Sequence, residues 1–169
     1  ARAEASRHRH NAAADLARRG ADLSADGATA FELLWLKGDM LRVAGVVEEA
    51  IQSFESAREM APEDDMRCRA WLGLADCMRL VDRYDDALAA LDAAQTIADK
   101  NEMTAELSGI HFRRANIFFP LGRIDACLAE HEEAYRLGQQ AGLRDAEARA
   151  LGGLGDAYYQ RGHMRTAED

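Results

Sequence analysis

The sequence predicts an all-α fold, built as an array of antiparallel helix pairs. Composition is the first reason: only 2 prolines occur, and Ala, Leu, Arg and Glu are abundant, which favours helix throughout. The second is that no window alternates apolar and polar residues long enough for a strand. The third is a repeat, read at four registers. Leu34, Trp71, His111 and Leu151 start an apolar face at spacings of 37, 40 and 40. Gly45, Asp82, Gly122 and Gly162 mark tight turns at the same spacings, and Ala50, Ala87, Cys127 and Ala167 open the helices that follow. Ala17, Ala57, Ala94 and Ala134 recur within those second helices at 40, 37 and 40.

The elements follow in order. Ala17 precedes Leu34 by seventeen residues, as Ala94 precedes His111 and Ala134 precedes Leu151, so residues 2–23 read as a second helix. Pairs are then expected at 28–43 with 46–60, 63–81 with 84–98, and 102–119 with 124–141. A last first helix, 144–161, is followed by a stub from Met164. The whole is a single array: 1–27 a partial repeat, then repeats 28–62, 63–101 and 102–143, and an incomplete fourth at 144–169. Beginning and ending in mid-repeat predicts a piece of a longer array. Gly45, Gly122 and Gly162 suit left-handed helix ends. Pro62 stops the helix before it, and Pro120 falls where a break is already due. Gly38, Ala75, Ala115 and Gly155 share one position, where helices approach closely. Leu151, Leu154, Gly155 and Tyr158 put the same face on the fourth first helix.

At 169 residues, one domain with a sizeable core is expected. A net charge of -9 excludes the basic stripe that nucleic-acid binding requires. No apolar run approaches the roughly 20 residues of a membrane span, so no membrane association is expected. Cys68, Cys77 and Cys127 form no C-x-x-C pair, and such a sparse, odd set fits free thiols in a reducing compartment, the cytoplasm.

These positions resemble the tetratricopeptide repeat. Leu34, Gly38, Leu41, Ala50, Phe54, Ala57 and Pro62 match its pattern of large, small and aromatic residues. So do Trp71, Leu74, Ala75, Met78, Ala87, Leu91 and Ala94, and then Leu151, Leu154, Gly155, Tyr158 and Ala167. The third unit departs from it, with His111, Arg114, Cys127 and His131 at positions usually apolar or small. The period of 37 to 40 exceeds the family's usual 34 and resembles its longer-helix subset, found in signalling ATPases and regulators. Residues 113–162 also look like the C-terminal arrays of large bacterial proteins that join a nucleotide-cyclase domain to an ATPase domain. The resemblance implies a right-handed superhelical solenoid of antiparallel helix pairs, TPR-like, whose first helices line a concave groove.

Chemistry finds little purchase. The run Leu151-Gly152-Gly153-Leu154-Gly155 has no Lys-Ser or Lys-Thr after it and no strand before it, so it is a packing feature and not a phosphate loop. His8 and His10 do not share a helical face. His111 and His131 are expected to meet inside the third unit. A buried hydrogen-bonded pair is the plainer reading, a pH-sensitive switch or a metal pair the alternatives. Cys127 sits in a small-residue position and should be buried and inert. No catalytic set, cofactor or metal site is expected, so the chain is read as a non-enzyme.

Partner binding is therefore expected in the groove. Its inward positions are Trp35, Asp39 and Arg42; Arg69, Leu72, Asp76 and Arg79; Phe112, Asn116 and Phe119; and Arg149, Asp156 and Tyr159. Asp39, Asp76, Asn116 and Asp156 form a polar ladder able to hydrogen-bond an extended peptide. The plainer alternative is a solvated face with Asp39–Arg42 and Asp76–Arg79 pairs, worth tenths of a kcal/mol each. One family variant holds acidic tails with Lys and Asn. Trp35 and Asp39 stand at those positions, and only Arg113 matches the charged set, so that specificity is rejected. The expected role is a protein-interaction scaffold for a protein or peptide segment, a domain of its parent protein included. A ligand- or peptide-sensing regulatory module and a structural spacer are the competitors. Homo-oligomerisation through the terminal helices is also expected.

Overall fold

The computed structural model describes the backbone of residues 2–24 and 26–168, with side chains of 12–21, 23, 24 and 26–162. Among the described residues there are eight α-helices and no strand: α1 (Arg2–Leu23), α2 (Gly27–Ala44), α3 (Val47–Met60), α4 (Asp64–Leu80), α5 (Tyr84–Lys100), α6 (Thr104–Phe118), α7 (Ile124–Ala141) and α8 (Arg144–Glu168). None of them is long and apolar enough to cross a membrane. Contacts divide the chain into two compact units, residues 1–97 and 98–169.

In the first unit each helix from α1 to α4 packs on the next, and α2 also meets α4. Turn chemistry sets the boundaries. Asp26 caps α2, its carboxylate accepting from the Ala28 and Thr29 amides at 3.4 and 3.0 Å and from the Thr29 hydroxyl at 2.7 Å. Those bonds, the hydroxyl's first, hold its carboxyl below the usual range. Gly45 ends α2 at φ 79°, its N–H donating to the Arg42 carbonyl. Asp82 takes the same turn at φ 59° without being glycine, and its carboxylate accepts the Tyr84 hydroxyl at 2.7 Å. Ala61, extended before Pro62, ends α3. Phe31, Ala57, Ala61 and Ala70 form a core cluster, flanked by Leu34, Trp35 and Met66. Phe54 fills the space between α2, α3 and α4: a Cβ added at Gly38 or Gly73 would stand 2.9 or 2.6 Å from its ring.

In the second unit α6, α7 and α8 pack on one another. Gly122 at φ 69° turns α6 into α7, as its register predicts. Ile110, Ala115, Ile117, Cys127, Ala134, Ala150 and Ala157 make its core.

Two side-chain bonds show the repeat directly. Cys68 in the first unit donates to the Ala94 carbonyl at 3.8 Å, and Ser108 in the second donates to the Ala134 carbonyl at 2.8 Å. Donor and acceptor are both displaced by 40 residues.

Two expectations change. No turn forms at Gly162 and no separate helix starts at Met164, because α8 runs through both to Glu168. Glycine also adopts right-handed helical angles, and the flanking Gln160, Arg161, Met164 and Arg165 are strong helix formers. Two further left-handed turns, at Glu102 (φ 52°) and Gly142 (φ 68°), are 40 residues apart and end α5 and α7. Gly142 carries a readable signal that the four registers did not use. Glutamate at Glu102 carries none.

Candidate functional site: the first-helix faces

In the first unit the expected groove residues lie on α2 and α4. The Arg69 guanidinium reaches from α4 to α2, where it donates to both Glu32 carboxylate oxygens at 2.6 and 3.2 Å. It lies 4.9 Å from the Trp35 ring centre and 5.3 Å from that of Phe31. Beneath, Phe54 meets Trp35 edge-on, with ring centres 6.1 Å apart and planes at 67°. The stack buries the Trp35 indole N–H, which finds no acceptor.

One turn further on, Arg42 donates to Asp39 at 2.5 Å. Burial works against the Arg42 charge, but the bond and charge of Asp39, with Asp76 nearby, raise its pKa overall. Cys77 lies beside this group, and burial pushes its thiol up to about 12, so it is no nucleophile. Leu72, Asp76 and Arg79 are half-buried on α4. On the other side of α2, Ala14, Asp15, Lys37, Leu41, Val46 and Glu49 line a depression of about 200 Å³.

In the second unit the Arg149 guanidinium of α8 lies 5.4 Å from the ring centre of Phe112 on α6. Phe112 in turn lies 5.5 Å from His131, with planes at 56°. The His131 ring closes over Gly153, where an added Cβ would stand 2.3 Å from its Nε2. Burial holds the His131 pKa below its usual value, and the charges of Asp156 and Glu130 oppose the shift without reversing it. Its Nδ1 is buried without a partner. Asn116 is half-buried, and Phe119, Asp156 and Tyr159 are exposed.

The two stacks are one arrangement used twice. Trp35 and Phe112 are 77 residues apart, Phe54 and His131 also 77, and Arg69 and Arg149 80, each a sum of two repeat periods. Each stack puts a guanidinium from the next first helix over an aromatic ring, a second-helix ring beneath it, and glycine below that. The separate residues were legible as a sequence pattern. Their joining into a layered unit was not.

Asp39 bonds Arg42, the pair that the plainer alternative expected. Another expectation is corrected. His111 and His131 have different partners: His111 Nδ1 bonds Glu130 at 2.7 Å, while His131 stacks on Phe112. Glu130, the His111 partner, also lies 3.5 Å from buried Arg114. This pair repeats Ser53, whose hydroxyl donates to the Leu34 carbonyl at 2.9 Å from the same register. Cys68, Cys77 and Cys127 are buried. Among the described residues no group of three His, Cys, Asp or Glu side chains is placed to hold a metal.

No protein-family profile matches the chain, and no curated protein matches it. A solved structure does. The crystal structure of BtubC (BKLC) from P. vanneervenii is similar with a TM-score of 0.74 and 20% identity, over 95% of this chain and 67% of that one. At that identity the likeness shows the helical fold alone.

Proposed function

We propose that the chain is a protein-interaction scaffold of the tetratricopeptide-repeat kind, wound as a right-handed superhelix, that takes an extended peptide or protein segment on the faces of its first helices. The observation that carries this reading is the stack built twice at one register. An aromatic ring fixed between an arginine and a second ring offers apolar contact area at little entropic cost, which suits a binding surface. Backbone groups of an extended segment then meet Asp76 where it lies on the first unit, and Asn116 and Asp156 where it lies on the second. Because Arg42 compensates Asp39 and lies near Asp76, the first unit favours apolar side chains and backbone N–H donors over a strongly basic partner. Exposed Asp156 leaves the second unit better suited to a Lys or Arg side chain.

Selection from a displayed library of random peptides tests this reading. Selected peptides should lose about 1–3 kcal/mol of affinity in Asp76→Ala and in Tyr159→Ala, as central interface contacts do. They should bind Gln52→Ala, altered on the exposed side of α3, as they bind the unaltered chain. Loss in Gln52→Ala with none in the other two would move the site to the second helices.

A further inference from the structure

The repeat allows the arginines of the two stacks to be compared. Glu32, Arg69, Gly109 and Arg149 share one register of the first helices, at spacings of 37, 40 and 40. In the first unit this register satisfies itself. Arg69 on α4 donates through Nη1 and Nη2 to the two Glu32 carboxylate oxygens at 2.6 and 3.2 Å, while its guanidinium lies over Trp35. A forked pair of this kind is among the strongest arrangements open to a guanidinium and a carboxylate.

The second unit keeps the arginine and the ring but omits the acid. Arg149 on α8 lies over Phe112 of α6, and Gly109 stands where the first unit has Glu32. Arg149 donates through Nε to the Asp145 carbonyl of its own helix at 3.2 Å. Its Nη1–Nη2 edge, the edge that Arg69 turns to Glu32, meets no carboxylate among the described residues. The vacated place is open. Arg149 is exposed, and a Cβ added at Gly109 would meet only the end of the Arg113 side chain, at 3.2 Å. Beside it, Asp145, Ala148 and Arg149 line a depression of about 470 Å³. Gly109 and Phe112 both belong to α6, so the place lies between two helices that pack on each other.

We propose that Arg149 receives a carboxylate side chain, aspartate or glutamate, from the segment bound on α6 and α8, in the place that Glu32 fills in the first unit. This rests on the groove reading above and adds a charge requirement to it. A guanidinium held against a ring presents its two remaining N–H groups in a fixed fork that matches both carboxylate oxygens. A run of acids does not fit. Asp145 shares the depression, and the chain carries a net charge of -9. Asp156 lies seven residues further along α8, about 10 Å at the helical rise. The partner segment therefore places one acidic residue at Arg149 and a neutral or basic one toward Asp156.

Peptides selected from the random library on the 169-residue protein are the probe. Asp or Glu should recur at one position of the selected set. Changing that residue to Asn or Gln in a selected peptide should weaken binding by about tenfold or more, the scale of a hydrogen bond to a charged group. In Arg149→Gln the acidic peptide and its amide counterpart should bind alike. Arg149 is exposed, so this variant should keep wild-type helicity by circular dichroism. In Tyr159→Ala both peptides should weaken while the difference between them persists. Selected peptides with no acidic position, or an acidic preference that survives in Arg149→Gln, overturn the inference and leave the groove reading standing. Failure to select any peptide overturns both.

Discussion

The stack of the first unit and that of the second both carry an aromatic upper ring, Trp35 or Phe112, and differ in kind in the layer beneath it. Phe54 occupies the buried place beneath Trp35, and His131 the same place beneath Phe112. The first unit fills that place with a ring that cannot take a proton. The second fills it with one that can, and leaves its Nδ1 without a partner. Geometry is therefore shared while response to pH is not. The repeat fixes where a ring must go, and the individual unit chooses its chemistry.

The largest effects should come from the layer beneath the rings. Gly73→Ala and Gly153→Ala each drive a methyl into a packed ring, 2.6 Å from Phe54 and 2.3 Å from His131. Each should lose about 1–3 kcal/mol in a denaturant titration, the usual cost of overpacking. Gly152→Ala is the matched control: its Cβ meets nothing within 4 Å, so removing a helical glycine should gain about 0.5–1 kcal/mol. Equal effects at Gly152 and Gly153 would mean that the ring does not close over the helix.

Of comparable size is the effect of Glu130→Ala. It strips His111 of its acceptor and leaves buried Arg114 with one carboxylate fewer. Loss of about 1.5–3 kcal/mol is expected, against less than about 1 kcal/mol for Ser53→Ala at the same register in the first unit. Thermal unfolding of the two variants makes the comparison.

A smaller, pH-dependent difference should separate the units themselves. Burial lowers the folded-state pKa of His131 below its ordinary value of 6.5, so the unfolded chain binds the proton more readily. The corresponding stability is fully present above pH 6.5 and is lost as pH falls from there toward the folded-state value. Hydrogen exchange on α7 and α8 should therefore accelerate on acidification more than exchange on α2 and α3. His131→Leu, which copies Leu91 at the same register, should flatten this dependence and change stability by about 1 kcal/mol or less at neutral pH. An unchanged pH profile in that variant would show that His131 is not the source of the effect.

The smallest effects belong to the top of each stack. Arg69→Ala and Arg149→Ala each remove a partly exposed cation–π contact, worth about 0.5–1 kcal/mol. Arg69→Ala should cost slightly more, because it also frees Glu32.

The contrast between the stacks also shows what the sequence could and could not convey. Helix identity and most boundaries were legible because local signals agreed with the period, as at Gly45, Pro62 and Gly122. Gly162 misled because a glycine only permits a turn, and strong helix formers on both sides carried α8 through it. Glu102 was invisible because nothing about a glutamate announces a left-handed angle. At the site, the residues and their inward face could be read, since periodicity reports faces. Which neighbour an arginine or carboxylate chooses could not, since long polar side chains reach two or three alternatives. Arg69 crosses to Glu32 and Trp35, and Glu130 reaches His111, for this reason, whereas the Arg42–Asp39 pair, three residues apart on one helix, could be read.

The measurement that bears most directly on the binding account is hydrogen exchange of the chain with and without a peptide selected from the random library. Protection gained on α2 and α4, or on α6 and α8, with α3 and α7 unchanged, is the predicted result. Protection confined to α3 and α7 would contradict it, placing the partner on the second helices.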